Sequence, residues 1–403
     1  MFFKRFFFYA LANINKSKRR TILSGVAIMV PAFGICFMIS MYSSMLKNMQ
    51  DNIIKYYNGD FLIENADYVK YKKFNPTHLV IKNSSEIIEK IKNNISDIEI
   101  DSRIDIPATI KIKDKFKPSN GIGYTENSFL DLKNNIIEGN YFSKEKQLII
   151  SSGLSKKYDL KIGQRLTVMT QTMQRSTNLI SFDIIAIAKI PEPSINANTF
   201  FLRLEDAKKL RSMDEDDALS SILIVSKKNI KNELENLLKD YNVNVKDKNE
   251  NLLYLIIKIG GSIYYIVYVF FLFLGASVLM NTMMMIIIER KKEIGALMYI
   301  GMHKKEIIRI FLIESGVISL IFNFLGIFCF YLLASFLNAK YGGLNLEMLK
   351  DFDFMMSGVI HLNMSYKTYL IVYIVFNIVV LFASYLPLRS ILKLEILEAL
   401  KND

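Results

Sequence analysis

"IGGSIYYIVYVFFLFLGASVLMNTMMMIII", Ile259 to Ile288, holds thirty residues without Asp, Glu, Lys or Arg, and "ERKKEIGALMYIGMHKKEI", Glu289 to Ile307, follows it at once. At about 1.5 Å per residue, a helix of that length measures roughly 45 Å, more than the roughly 30 Å hydrocarbon core of a bilayer requires. Three further windows lack any charged residue: Thr21 to Leu46, Ser315 to Ala339 and Thr368 to Leu388. Each reaches the about 20 residues needed to span. The 403-residue chain, 51% hydrophobic, is therefore read as an α-helical membrane protein with four transmembrane helices.

Charge orients it. Lys and Arg near span ends favour the cytoplasm. Lys4, Arg5 and the cluster Lys16, Lys18, Arg19 and Arg20 place the N-terminus there; Arg290, Lys291, Lys292, Lys304, Lys305 and Arg309 place the loop between spans two and three there. Arg389 and Lys393 do the same for the C-terminus. The first window is too long for the apolar core of a signal peptide and reads as an uncleaved anchor. A net charge of +12 sits largely in these segments, where anionic headgroups of membrane lipids account for it, so no nucleic-acid partner is expected. Cys36 and Cys329 both fall in spans, and no structural disulfide is expected.

The resulting plan starts with a cytoplasmic amphipathic segment, 1–20, containing "FFKRFFFYALANI"; it either lies in the inner headgroup layer or begins a longer first helix. Span one covers 21–46, with a bend expected at Pro31. Residues 47–255 form an extracytoplasmic α/β domain inserted between spans one and two. Within it, "SSEIIEKIKNNI" has helix periodicity with Ser84 or Ser85 as cap, and "IEIDSRIDIPATIKI" alternates as two strands broken at Pro107. A mixed lobe, about 48–113 plus 217–250, is expected to carry an inserted β-rich lobe, about 114–216. Span two follows at 256–288, a cytoplasmic helix and loop at 289–309, span three at 310–339, a short outer loop at 340–367, span four at 368–388 and a tail at 389–403.

Catalytic chemistry finds no foothold. There is no G-x-x-x-x-G-K-[ST] loop to cradle phosphates and no G-x-S-x-G elbow. His78, His303 and His361 are scattered without metal-site spacing. A non-catalytic chain with no bound cofactor or metal is expected.

The Glu289–Arg309 loop is too polar to enter the membrane and too patterned for a passive link. Ile294, Leu297 and Met298 share one helical face, Arg290, Lys291, Lys292 and Glu293 lead in, and Gly295 and Gly301 permit a turn or a close approach. The residues alone leave two readings open: a short amphipathic helix that plugs into a cytoplasmic partner, or an interfacial connector with snorkelling lysines. The segment resembles the E-R-x-x-E-I-G-x-L-x-x-x-G signature of MacB/FtsX-type ABC transporter permeases, matched by Glu289, Arg290, Glu293, Ile294, Gly295, Leu297 and Gly301. "NINKSKRRTILSGVAI" before span one, "EGNYFS", "LIISSGLSKKYDLKIGQRLTV" and "TFFLRLEDAKKL" in the outer domain, and the "EILEAL" ending are also similar to stretches of that family. Ile396, where the tail usually has proline, and Tyr299 and Ile300, where a small residue usually precedes Gly301, depart from the pattern.

The resemblance implies a MacB-like periplasmic core and a coupling helix, with Lys292 and Met298 joining the matched residues, that docks on an ABC ATPase. Two ATPase copies would carry ATP and Mg, and a second permease, identical or paralogous, would complete the transporter in the cell inner membrane. Chain length, four spans and the absence of a fused ATPase make the plan most similar to the lipoprotein-releasing, LolC/LolE-like subunits, with a lipoprotein substrate and a periplasmic carrier as further partners. Acyl chains leaving the bilayer need an apolar shelter, since exposing them costs about 0.8 kcal/mol per CH₂. Phe33, Phe37, Met38 and Met41 of span one are candidates for its lining, with Ile263, Tyr264, Ile266, Val267, Phe270 and Phe271 of span two; for each, ordinary lipid-facing or packing surface is the competing reading. Efflux of peptides, toxins or drugs, and FtsX-like regulation of a cell-wall hydrolase, are the rival functions.

Overall fold

The computed structural model describes residues 18–74, 76–126, 128–214, 217–345 and 359–391. In chain order, the helix α1 (Lys18–Ile53) runs into a π-helical turn, Ile54–Asn58. Then come β1 (Phe61–Asn65), α2 (Ala66–Tyr71), α3 (Ser84–Asn94), β2 (Ile98–Ile112), β3 (Lys115–Tyr124), β4 (Ile136–Gly139), β5 (Gln147–Ser151), α4 (Ser152–Tyr158), β6 (Arg165–Gln171) and β7 (Thr177–Ala188). After these follow α5 (Pro193–Asn198), β8 (Thr199–Arg203), α6 (Leu204–Arg211), β9 (Ser221–Ser226), α7 (Lys231–Leu237) and β10 (Val243–Asp247). The remainder is α8 (Leu252–Glu289), α9 (Lys291–Tyr299), α10 (Lys304–Tyr341), the short pair β11 (Leu344–Asn345) and β12 (Val359–Ile360), and α11 (Tyr366–Ile391).

Among the described residues, four helices are long and apolar enough to cross a membrane, over Thr21–Asn58, Tyr268–Glu289, Lys304–Tyr341 and Tyr366–Arg389. The elements overrun the expected spans. The helix that holds expected span three, 310–339, already begins at Lys304 in the polar loop, where the Glu306 carboxylate accepts from the His303 amide at 3.0 Å. Lys18, Arg19 and Arg20 already belong to α1, while 1–17, on which both readings of the N-terminal segment fall, lie outside the described residues. So does the tail from 392 onward. α1 continues through Pro31.

With hydrocarbon on both sides of the equation, helices in a membrane associate through close packing and hydrogen bonds. Gly326 of α10 brings the two backbones together: a Cβ there would lie 2.5 Å from the Met29 carbonyl oxygen and 3.1 Å from the Ala32 Cβ. Phe330 is fully buried at the centre, edge-on to Phe33 and Phe37 with centroids 6.0 and 6.5 Å away. α10 and α11 add polar pairs: Ser319 donates to Asn377 Oδ1 at 2.5 Å, Asn323 to the Tyr373 carbonyl at 3.1 Å, and the Tyr373 hydroxyl to the Leu320 carbonyl at 3.2 Å.

Residues 47–258 form a separate α/β unit. Its strands make one mixed sheet, ordered β10-β1-β9-β2-β3-β8-β5-β7-β4, with β6 bridging β2 and β7. The expected break at Pro107 is absent: β2 is a single strand of 15 residues. Its proline is tolerated because β9 ends its pairing at Arg103 and β6 begins at Ala108, so the missing N–H falls in the gap between neighbours, and the Pro107 carbonyl accepts from Thr170 Oγ1 at 2.6 Å. That unbroken strand makes the two expected lobes parts of one sheet.

The chain enters and leaves this unit through tied-down segments. Buried Arg103 pairs with Asp101 at 3.0 Å and donates to the carbonyls of Lys55 and of Tyr56, the latter at 2.7 Å, which satisfies orphan acceptors at the π-helical turn. Asp60 accepts from Lys248 Nζ at 2.6 Å and from the Ser226 amide at 3.0 Å. Gly59 between them has φ +63°, and a Cβ there would meet the Ile224 oxygen at 2.7 Å.

Candidate coupling segment and intramembrane cavity

The loop after α8 folds as two helices at a sharp corner. α9 ends at Tyr299, Gly301 adopts φ +95°, a left-handed value that glycine takes at no steric cost, and α10 starts at Lys304. The amphipathic pattern read from Ile294, Leu297 and Met298 is present, but its apolar face is not free. Ile294 is 2% exposed, and with Leu297 and Met298 it packs on Ile287 of α8, Ile307 and Phe311 of α10 and Leu388 of α11. The exposed part of the segment is the charged flank, Glu289, Lys292 and Glu293, and the corner itself, where Tyr299 and Ile300 are each 81% exposed. Gly295 is buried. Large apolar side chains that exposed, beside a charged flank, are the kind of feature that marks an interaction site.

Arg290 explains why the corner holds its angle. Its guanidinium is buried, donates Nε to Glu293 and one terminal N–H to Glu314 of α10, each at 2.8 Å, and lies 4.8 Å from the Phe311 ring centroid. Burial works against its charge, but Glu314 and Glu293 outweigh that and hold its pKa above the usual value. Glu314, itself buried, did not enter the sequence reading; its signal was a lone acid directly before an uncharged window. Such a residue at a membrane depth calls for a partner by default.

The second feature is an apolar cavity of about 560 Å³ among α1, α8 and α11. From α1 it takes Ile35, Ile39, Tyr42, Ser43 and Leu46, from α8 Gly261, Tyr268 and Leu272, and from α11 and the residues before it Asn363 to Ser365, Thr368, Ile371, Val372 and Val375. Of the proposed shelter residues whose side chains are described, none lines it. Phe33 and Phe37 turn to Phe330, Met41 packs in the same cluster, Met38 is half-buried, and Ile266 and Phe270 are exposed. The side chains of Ile263, Tyr264, Val267 and Phe271 lie outside the described residues. On α1 the cavity is lined by the face adjoining Phe33 and Phe37, and the contribution of α11 has no sequence signal beyond apolarity. Among the described residues, no group of His, Cys, Asp and Glu is arranged to hold a metal.

Residues 265–396 match the family described as FtsX-like permease C-terminal. Over 132 residues, 33% of this chain, the sequence is 26% identical to the macrolide export ATP-binding/permease protein MacB of Pasteurella multocida and 30% identical to an uncharacterised ABC transporter permease of Methanocaldococcus jannaschii. The match spans 18% of the first relative and 30% of the second. Among solved structures, the periplasmic region of MacB from Actinobacillus actinomycetemcomitans aligns with 48% of this chain and 91% of its own, at 13% identity and a TM-score of 0.35.

Proposed function

We propose that this multi-pass membrane protein, an ABC transporter permease of the MacB/FtsX type by its residues 265–396, converts ATP hydrolysis on a separate subunit into movement of its α/β unit. The observation that carries the reading is the corner of α9: packed on its own helices on one side, latched through Arg290 and Glu314, and presenting bare Tyr299 and Ile300 on the other. Force applied there reaches α8 and α10 together, because the segment cannot yield without breaking a buried ion pair. ATP-driven closure of two ATPase copies, with their ATP and Mg, would then act as a rigid-body step relayed along α8. In this reading both termini and the corner face the cytoplasm, the α/β unit faces outward from the inner membrane, and a second permease, identical or paralogous, packs alongside.

The work we assign to that motion is extraction of lipoproteins from the outer leaflet, with a periplasmic carrier receiving them. Its support is the set of four apolar helices and the apolar cavity. Efflux of peptides, toxins or drugs is the second reading, favoured by the similarity to the Pasteurella macrolide export protein. Depleting the protein and fractionating the envelope separates them: retained lipoproteins in the inner membrane support release, and normal lipoprotein sorting ends it. Coupling is tested apart from substrate. Glu293→Lys or Gly295→Leu should insert normally and lose substrate-stimulated ATP turnover; unchanged turnover would remove the coupling role.

A further inference from the structure

We infer that the cavity among α1, α8 and α11 is a binding site for one acyl chain of a membrane lipid, held within a single copy of this protein. Its length carries the argument. Along α1 the lining runs from Ile35 to Leu46, along α8 from Gly261 to Leu272, and along α11 from Thr368 to Val375. At about 1.5 Å per residue these are depths of roughly 10 to 17 Å, and half of a hydrocarbon core of about 30 Å is roughly 15 Å. All three walls therefore cover one leaflet and stop near the midplane.

Polarity has the matching direction. Ser43, Asn363, Ser365 and Thr368 gather at the end where Leu46 meets Gly261, and the opposite end, at Ile35, Leu272 and Val375, is apolar. Water is a poor occupant of the deep end, where it would find no hydrogen-bond partners, and an empty space would forfeit the dispersion contacts of its walls. A hydrocarbon chain restores them. Its volume lies within the about 300 to 1,000 Å³ typical of small-molecule sites. Ile371 both lines the cavity and is 60% exposed, so the chain can enter from the side, in the plane of the membrane, on the flank of α11. The site is on the leaflet opposite the Glu289–Arg309 corner, and it stands whether or not the protein releases lipoproteins.

The test uses the full chain in vesicles of phosphatidylethanolamine containing a trace of the same lipid with a diazirine near the methyl end of its palmitoyl chain. After irradiation, adducts are mapped by peptide mass spectrometry. Ile35, only 8% exposed, should be labelled alongside Ile374, which is 48% exposed and reports bulk lipid at similar depth. Ser43→Trp, at the exposed mouth, and Ile39→Trp, halfway down, should each lower the Ile35 adduct about tenfold, equivalent to about 1.4 kcal/mol, and leave Ile374 unchanged. Thermal unfolding matching the unsubstituted protein confirms that the plugs preserve the fold, and Ser43 can be replaced without entering the core. No Ile35 adduct in the unsubstituted protein, or an Ile35 adduct that survives Ser43→Trp in a folded protein, overturns the site.

Discussion

Arg290, one residue past the end of α8, and Glu314, within α10, share a 2.8 Å ion pair although 24 residues separate them, and both side chains are less than a tenth exposed. A buried pair of this kind contributes little net stability over an apolar replacement, because desolvation offsets the attraction. Its value is geometric: it fixes the angle between two membrane helices at the corner that α9 occupies.

Breaking one side should therefore hurt more than removing both. Glu314→Leu leaves a buried guanidinium with only the solvent-exposed Glu293 and is expected to cost about 3 kcal/mol or more. Arg290→Met combined with Glu314→Leu should recover most of that loss. Hydrogen exchange across Lys291–Tyr299 in the detergent-solubilised protein measures it; equal exchange in the single and double variants would mean that the pair does not hold the corner.

Tyr299→Ala and Ile300→Ala should act in the opposite manner. Neither side chain is packed, so stability should change by no more than about 0.5 kcal/mol. If this corner is the docking point, an anchor there is worth about 2 kcal/mol or more, about thirty-fold in affinity for the ATPase. Binding of purified ATPase to the reconstituted variants reads the difference, and undiminished binding would move the docking point elsewhere.

Gly326→Val should destabilise the helical unit by about 1 to 3 kcal/mol, since the new carbon meets the rigid Met29 carbonyl. Gly316→Ala is the contrast: its added carbon would sit 3.3 Å from Leu381 Cδ2, a side-chain end that can turn aside. Thermal midpoints of the two variants in one detergent should differ clearly, and a Gly326→Val protein as stable as Gly316→Ala would mean that α1 and α10 do not pack as closely as described.

Asp217 links the α/β unit to pH. Its Oδ2 accepts from the Ser85 amide at 2.7 Å and its Oδ1 from Lys208 at 3.2 Å, so it caps α3 from across the fold. Partial burial pushes its pKa up, but the Ser85 and Lys208 bonds outweigh it and hold the carboxyl below the usual range. A depressed folded value means that this stabilisation is complete above the ordinary carboxylate pKa of about 3.9 and fades as pH falls through the lower folded value. Asp217→Ala should cost about 1 kcal/mol near neutrality, less any screening at a site 38% exposed. The gap from the unsubstituted protein should close as pH falls through that depressed folded value; a gap that persists once the carboxyl is protonated would assign the loss to packing.

Local patterns account for what could be read without coordinates. Runs free of charge mark membrane helices because burying an unpaired charge in hydrocarbon is costly, and period-3.6 apolarity revealed the amphipathic nature of Ile294, Leu297 and Met298. Periodicity says that a face is apolar, not what covers it. Leu388 covers part of that face from more than ninety residues away, and the large apolar side chains left exposed at this corner are those of Tyr299 and Ile300, the two residues that departed from the family pattern. Ser84 or Ser85 was expected to cap the helix, but both lie inside it, the N-cap Asn83 makes no side-chain cap bond, and the carboxylate that accepts from the Ser85 amide comes from Asp217, 132 residues on. Pro107 misled because its penalty depends on which neighbour its missing N–H faces, and that neighbour is set by the register of β6 and β9.

Membrane residence, the number of spans and the signature of the permease segment followed from composition and order alone, since each depends on residues close together in the chain. The Arg290–Glu314 latch, the cavity walls on three helices and the single sheet joining the two expected lobes are pairings between distant segments. Their free energy exists only when those segments meet, so only the folded arrangement could decide them.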